Sequence, residues 1–454
     1  MNKKIYFKMR QNTLQNVCQW FSQRLLFFGR NSGIHGLRHL FGENSPTVIR
    51  LFWVVILLIS SGCLYLLLVV ERGGQVNFTP ETRYLPWTTA FPAVTVCEAY
   101  SLKPAQRKFS ALYPTLMDSL SFDVRKYLTE LLYGRGTCGK SFCVPCGTIV
   151  PCDLPWRAIM ENVRQKCTDM IADCRFNGQE FPCCKKFRLV DSEYGYCFSF
   201  NTLQNESSRD EPLYSVNRTT GPGLLTFRLL YDAYISVHSP EELATNNLDI
   251  KFRFDVKTRA ANRVEFLFSM VEMQNDPVVL TEDIGVRECR VLEEVPEGIL
   301  HTYPVYSYGA CRLAQETEHT FEHCGCIHPV RHSSYQHMYC NYTGLNCIVN
   351  IEVQKQKLGT DTHEPDDDAC LPSCFESELT TIHIARRWVN EEYKGTLVSI
   401  RMASLPTLRY KRNLVRTHLD IVVSIGGMVG LFFSASVLSI VEVFYLIFRP
   451  KKKL

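Results

Sequence analysis

An excess of charge of either sign is missing from this chain. Its 454 residues carry 50 lysines and arginines against 46 acids, a formal net charge of +4. That balance is too close to neutrality to mark a nucleic-acid partner. The short motifs of common catalysts are missing too. No G-x-S-x-G elbow, no P-loop and no H-E-x-x-H helix occurs. Internal repeats and low-complexity tracts are likewise absent. Nothing here points to an enzyme, and no cofactor is expected.

What the sequence does have is two long apolar runs. Leu51 to Val70 is twenty residues without a charge, and Ile421 to Ile440 is another. A bilayer core about 30 Å thick needs about 20 helical residues, so each run is long enough to span it. The first does not read as a secretory leader, because fifty residues precede it and its apolar stretch is too long. Residues 1–50 carry eight Lys or Arg and one acid, Glu43. The tail RPKKKL carries Arg449, Lys451, Lys452 and Lys453. Positive flanks stay in the cytoplasm. The predicted layout is a cytoplasmic N-terminus at 1–50, a first span at 51–70, an extracellular domain at 71–417, a second span at 418–448 and a cytoplasmic tail at 449–454.

The content of the long middle segment agrees. All 20 cysteines except Cys18 and Cys63 lie in it, with every N-x-[ST] sequon, at Asn77, Asn205, Asn217 and Asn341. An oxidising, glycosylating compartment accounts for both. Residues 90–100, 234–240 and 248–256 read as strands, and 107–134 has helical spacing of Leu and Tyr. The domain is expected to be α+β and stapled by disulfides. Four potential ligands, His323, Cys324, Cys326 and His328, lie close together, but such thiols should be oxidised, and no metal site is expected. The run Asp366-Asp367-Asp368 reads as a solvated loop. The stretch 18–28 reads either as a membrane-surface helix or as a disordered tail.

Glu442 sits inside the second apolar run, where a charge is expensive, so it should face a partner or water. The same run is rich in small residues. Gly427, Gly430 and Ser434 share one helical face, and Gly426, Gly430 and Ser434 form a small-xxx-small series. Two readings are open. Small faces allow close helix packing. They also line narrow pores, where backbone that leaves the helix at membrane depth is tolerated beside a water-filled path.

The pattern G-G-x-x-G-L-[FW]-x-[GS]-x-S followed by L-S-x-x-E runs from Gly426 to Glu442. It resembles the second membrane segment of the degenerin/epithelial sodium channel family, which includes acid-sensing channels. The resemblance continues in SGIHGLRHLF (32–41), FPAVTVC (91–97) and CLPSC (370–374). CRFNGQEFPCCKKF (174–187) and GYCFSFN (195–201) resemble the insect pickpocket branch. The resemblance implies a trimer of same-family subunits, homomeric or heteromeric, each with two spans and a hand-shaped, acid-sensing-channel-like ectodomain. Sodium would be the permeant ion, and block by amiloride is usual. Ser434, Ala435 and Ser436 would form the selectivity belt, and His35 and Gly36 a cytoplasmic gating element. The setting implied is a chemosensory, pheromone-sensing or mechanosensory cell.

The same resemblance implies disulfides Cys97–Cys197, Cys289–Cys374, Cys311–Cys370, Cys324–Cys347 and Cys326–Cys340. A further rung found in relatives would need cysteines at Gln315 and Asp368, and neither is present. The pairing of Cys138, Cys143, Cys146, Cys152, Cys167, Cys174, Cys183 and Cys184 stays open. At the outer pore Ser424 stands where relatives usually carry an acid or Asn. Val423 precedes it, at a position typically small in degenerins that influences gating. Trimeric ATP-gated channels share the two-span plan but lack the [GS]-x-S motif and have a different cysteine framework. A non-conducting receptor or auxiliary subunit that needs related partners is the main rival. If residues 71–417 are extracellular, replacing Asn205, Asn217 and Asn341 by Gln lowers the apparent mass on a gel. No shift at any sequon, in a host that glycosylates, refutes the outside placement.

Overall fold

The computed structural model describes residues 23, 26–42, 45–70, 76–136, 146–147, 150–208, 211–296, 302–358, 370–389, 394–415 and 418–448. The chain divides into two compact units. One is Phe78–Asn413, and the other joins Met1–Asn77 to Leu414–Leu454.

The middle unit is built on two sheets. In the larger, the strand order is Val76–Glu81, Arg409–Leu414, Arg263–Asn275, Thr396–Met402, Leu224–Leu229, Ile171–Phe176 and Gln179–Glu180, with Glu378–Arg387 also pairing Arg263–Asn275. Arg263–Asn275 is its spine. It runs parallel to both Thr396–Met402 and Arg409–Leu414 and antiparallel to Glu378–Arg387. The smaller sheet is antiparallel throughout, in the order Arg253–Val256, Ala233–His238, Ala93–Glu98, Gly195–Phe200 and Phe187–Ser192. Alternation explains how strands share a core: along Leu224–Leu229 every second side chain is buried. Phe91, Phe187, Phe200, Phe227, Phe266 and Phe268 fill that core and are fully or almost fully buried. Gly195–Phe200 is buried at every position, as expected of a strand covered on both faces.

A second core is helical. Phe109, Leu128, Trp156, Met160, Tyr342 and Leu345 pack together within it. Residues 107–134, which read as one helical stretch, lie instead in the helices Leu102–Leu112, Pro114–Ser119 and Phe122–Leu131. Pro114 holds Tyr113 out of the helical region, at φ −132° and ψ 64°. Ser121 starts the third helix by accepting the Val124 N–H at 3.4 Å. Other expectations shift in the same way. Pro92 separates Thr89–Ala90 from Ala93–Glu98. Within 248–256 only Arg253–Val256 is a strand, because Asp249 accepts the Lys251 N–H and winds Ile250–Phe252 into a 3₁₀ turn. The segment 234–240 is the strand Ala233–His238.

Disulfides join Cys97 to Cys197, Cys289 to Cys374, Cys311 to Cys370, Cys324 to Cys347 and Cys326 to Cys340. Three more join Cys146 to Cys152, Cys167 to Cys184 and Cys174 to Cys183. Cys138, Cys143, Cys18 and Asp366–Asp368 lie outside the described residues. With Cys324 and Cys326 oxidised, neither sulfur is a free thiol ligand for a metal. At the missing rung, Gln315 accepts from Arg312 at 3.1 Å.

In the chain-entropy picture a bridge stabilises more when it closes a longer loop. Cys97–Cys197 spans 100 residues and Cys146–Cys152 spans 6. Replacing both cysteines of the first by serine is expected to cost about 5 kcal/mol, against about 2 kcal/mol for the second. Thermal unfolding of the two double variants checks the order, and equal losses would refute a loop-length origin.

Candidate functional site

The apolar segments form the other unit. Thr47–Val70 is one continuous helix, and its Thr47–Leu67 stretch is long and apolar enough to cross a membrane. The second apolar run is not continuous. It forms the helices His418–Phe433 and Val437–Phe448, interrupted at Ser434, Ala435 and Ser436.

The interruption is built from local chemistry. Ser434 adopts φ +49°, the left-handed conformation that usually ends a helix at glycine. Its N–H still reaches the Gly430 carbonyl at 2.8 Å, closing the last turn. The N–H of Ser436 goes to the Ser439 hydroxyl at 3.0 Å rather than back to Phe432. The Ser439 N–H in turn reaches the Ser436 carbonyl at 2.9 Å. A side chain three residues into a helix that takes the N–H of the residue before it is one half of a capping box. Ser439 therefore starts the new helix, and Ser434 ends the old one.

A loop from the N-terminal region docks on both halves. The His35 N–H donates to the Phe433 carbonyl at 3.2 Å, the group an unbroken helix would pair with residue 437. The Gly33 N–H points at Glu442 Oε2 at 3.4 Å. Gly36 makes the loop turn at φ +88°, and a Cβ there would sit 2.9 Å from the Trp53 ring. Beyond it, His39 stacks on Trp53 with centroids 5.0 Å apart and planes 7° apart. Arg50 donates to the Gly42 carbonyl at 2.8 Å and ties the loop's far end to the Thr47–Val70 helix.

Of the residues singled out from sequence, His35, Gly36, Ser434, Ala435, Ser436 and Glu442 thus lie around one helix break. Gly427 and Gly430 lie on the helix before it. Gly427 has no atom near its Cβ position, while that of Gly430 looks toward the Ala435 carbonyl at 3.8 Å. Val423 and Ser424 lie about one turn before Gly427, with Val423 65% exposed. The sequons are at the surface: Asn77 and Asn341 are exposed, and Asn205 and Asn217 are half-buried. Of the 18–28 stretch only residues 23 and 26–28 are described, and they are helical. Sequence reasoning gave no structural role to three participants. Gly33 acts through its main chain, Ser439 caps the second half-helix, and Trp53 supplies the surface that demands glycine at 36. Ser439 carried a readable signal, a serine three residues past Ser436. The other two carried none.

A disulfide-rich domain in one chain with apolar helices, one of them long enough to cross a membrane, has the make-up of a membrane protein. The family model described as amiloride-sensitive sodium channel matches residues 28–446. The chain belongs to that family, whose members are ion channels of the plasma membrane and not enzymes. It is 24% identical to acid-sensing ion channel 2 of Mus musculus over 94% of this chain and 86% of that one. It is 22% identical to sodium channel protein Nach of Drosophila melanogaster over 92% and 85%. To acid-sensing ion channel 1 of Gallus gallus it is 22% identical over 92% and 82%.

Substituting Gly36→Ala imposes a left-handed residue and a clash with Trp53, a cost of roughly 1–3 kcal/mol. The loop then undocks more often, and the Gly33 and His35 amides lose protection. Hydrogen exchange on the full-length protein in nanodiscs is expected to quicken about five- to hundredfold at those two amides, which corresponds to that cost. Unchanged exchange there would refute the docking role of Gly36.

Proposed function

We propose that this chain is one subunit of a trimeric, sodium-selective, amiloride-sensitive channel, in which Ser434, Ala435 and Ser436 form the selectivity belt. The observation that carries this reading is the helix break. The break interrupts the apolar helix at two serines and an alanine, residues small and polar enough to sit beside a narrow water-filled path. Three copies around an axis would make a ring of oxygens able to replace part of a small cation's hydration. Non-helical backbone at membrane depth makes sense beside a water-filled path and not against lipid.

The layout that goes with it places 1–50 and 449–454 in the cytoplasm. The spans are 51–70 and 418–448, and 71–417 lies outside. Positive flanks, surface sequons and the eight disulfides among the described residues support it. In that layout His35 and Gly36 belong to a cytoplasmic gating loop, and Glu442 faces water below the belt. Val423 and Ser424 lie at the outer mouth, where the side chain at 423 sets how tightly three helices close. The pickpocket-like motifs support a sensory cell as the setting. The names of the relatives, acid-sensing ion channels and the sodium channel protein Nach, support conduction.

The test is electrical. The chain is expressed alone and with related subunits, and sodium current is recorded with and without amiloride. An amiloride-blocked sodium current is expected, and its absence in every combination, with normal surface protein, leaves an auxiliary or receptor role. In conducting channels Ser436→Ala removes one hydroxyl per subunit from the ring. A polar contact of about 0.5–1.5 kcal/mol corresponds to a two- to tenfold change in the sodium-to-potassium permeability ratio. Reversal potentials under bi-ionic conditions measure it, and an unchanged ratio places selectivity elsewhere.

A further inference from the structure

The disulfide-rich unit holds a cavity of about 530 Å³ with a sequon asparagine in its wall. It lies between the start of the helix Trp156–Val163 and the segment 329–341. Asn341 lines it together with Asp153, Pro155, Ala158, Ser333 and Gln336, and all six are exposed. The open wall thus sets a proline ring and an alanine methyl beside a carboxylate, a hydroxyl and a carboxamide.

The walls are fixed before anything enters. Tyr339, also in the wall, donates its hydroxyl to the carbonyls of Arg331 and His332 at 3.0 and 2.9 Å. Cys152, next to Asp153, is bonded to Cys146, and its carbonyl accepts the Tyr342 N–H at 3.1 Å. Asn341 is clamped on both sides. Cys340 before it is bonded to Cys326, and Tyr342 after it is fully buried and stacks on Trp156 with ring centroids 6.2 Å apart. Asn341 Oδ1 accepts the Gly344 N–H at 3.0 Å and so caps the helix Tyr342–Leu358. The cap commits the oxygen and leaves Nδ2, the nitrogen that carries a glycan, on the other side of the planar amide. Two other sequons are placed differently. Asn205 Nδ2 donates to the Leu189 carbonyl at 2.7 Å, and Asn217 Oδ1 accepts the N–H groups of Thr219 and Thr220 at 2.9 and 3.0 Å. Neither lines this cavity.

We propose that the cavity is the seat of the first N-acetylglucosamine of a glycan on Asn341, which packs against the protein as a tethered ligand. The inference rests on the extracellular placement of residues 71–417. Glycosylation joins Nδ2 to the anomeric carbon of a lipid-linked oligosaccharide; a lipid diphosphate leaves, and Nδ2 gives up one of its two protons. The walls suit this sugar. Its C–H face matches Pro155 and Ala158, and its hydroxyls and acetamide match the donors and acceptors of Asp153, Ser333 and Gln336. The cavity falls within the roughly 300–1,000 Å³ usual for small-ligand sites. Because the sugar is covalently held at the rim, most of the entropic cost of association is already met, and weak contacts are enough to seat it.

The test reads access to the sugar–asparagine bond and does not depend on conduction. Full-length protein from cells that add high-mannose glycans is placed in nanodiscs and digested with peptide N-glycosidase, folded or denatured, while mass spectrometry follows each sequon. In the folded protein Asn341 is expected to lose its glycan at least tenfold more slowly than Asn205 and Asn217, and denaturation should abolish the gap. Exposure alone predicts the reverse order, because Asn341 is exposed while Asn205 and Asn217 are half-buried. Ala158→Trp fills the cavity and should quicken release at Asn341 at least tenfold with its occupancy unchanged. Gln336→Ala trims one wall and should quicken release at least twofold; it serves as the second variant if Ala158→Trp fails to fold. Release at Asn341 as fast as at the other two sites overturns the proposal, as does slow release that neither variant quickens. A bare Asn341 beside glycosylated sequons elsewhere also overturns it and leaves the extracellular placement standing, whereas a chain bare at every sequon overturns both.

Discussion

A peptide group in an apolar surround has no water to fall back on, and the arrangement of the second apolar segment follows from that. Ending the helix at Phe433 and restarting it at Val437 leaves backbone groups without their usual partners. Each repair visible in the structure comes from close by. Ser434 turns left-handed and closes the final turn, Ser439 takes the Ser436 N–H, and His35 covers the Phe433 carbonyl. The break thus carries hydrogen bonds of its own at the Phe433 carbonyl and the Ser436 N–H.

The disulfide-rich unit solves a different problem. It has two cores, one between sheets and one among helices, and a few polar hubs join them. Arg157 is one such hub: it donates to the carbonyls of Pro329 and Arg331 at 3.2 and 2.8 Å, meets Asp191 at 3.3 Å and lies 4.4 Å over the Tyr196 ring. One guanidinium thus connects the Trp156–Val163 helix, the two neighbouring strands of the smaller sheet and the segment around Pro329. Its planar fork and delocalised charge suit this role, and a lysine could not reproduce it. Bridges such as Cys289–Cys374 then hold segments 85 residues apart in sequence.

Much of this was legible in the sequence, for physical reasons. Apolar runs, charge flanks and oxidising-compartment markers are one-dimensional signals, and so is a motif of small residues at fixed spacing. The family assignment rested on such motifs, and the match over residues 28–446 confirms it. What stayed hidden depends on three-dimensional approach. Cys174–Cys183 is nested inside Cys167–Cys184 within one short segment, and eight unassigned cysteines allow roughly a hundred pairings. Residues 107–134 kept a helical period while Pro114 and Ser121 cut them into three pieces, a case of local capping overriding periodicity. The break at Ser434 was suspected from its residues, but its repair by the N-terminal loop was not visible, because the loop contributes peptide groups.

That last feature bears on how the loop tolerates change. His35 and Gly33 hold the broken helix through amide hydrogens that every amino acid but proline possesses. At His35 the side chain takes no part in this bond, whereas a Cβ at Gly33 would press on Glu442 Oε2 at 3.3 Å. An imino acid, an insertion or a deletion would sever it at once. Outside the glycines, inherited variation across this loop is therefore best ranked by what it does to the main chain.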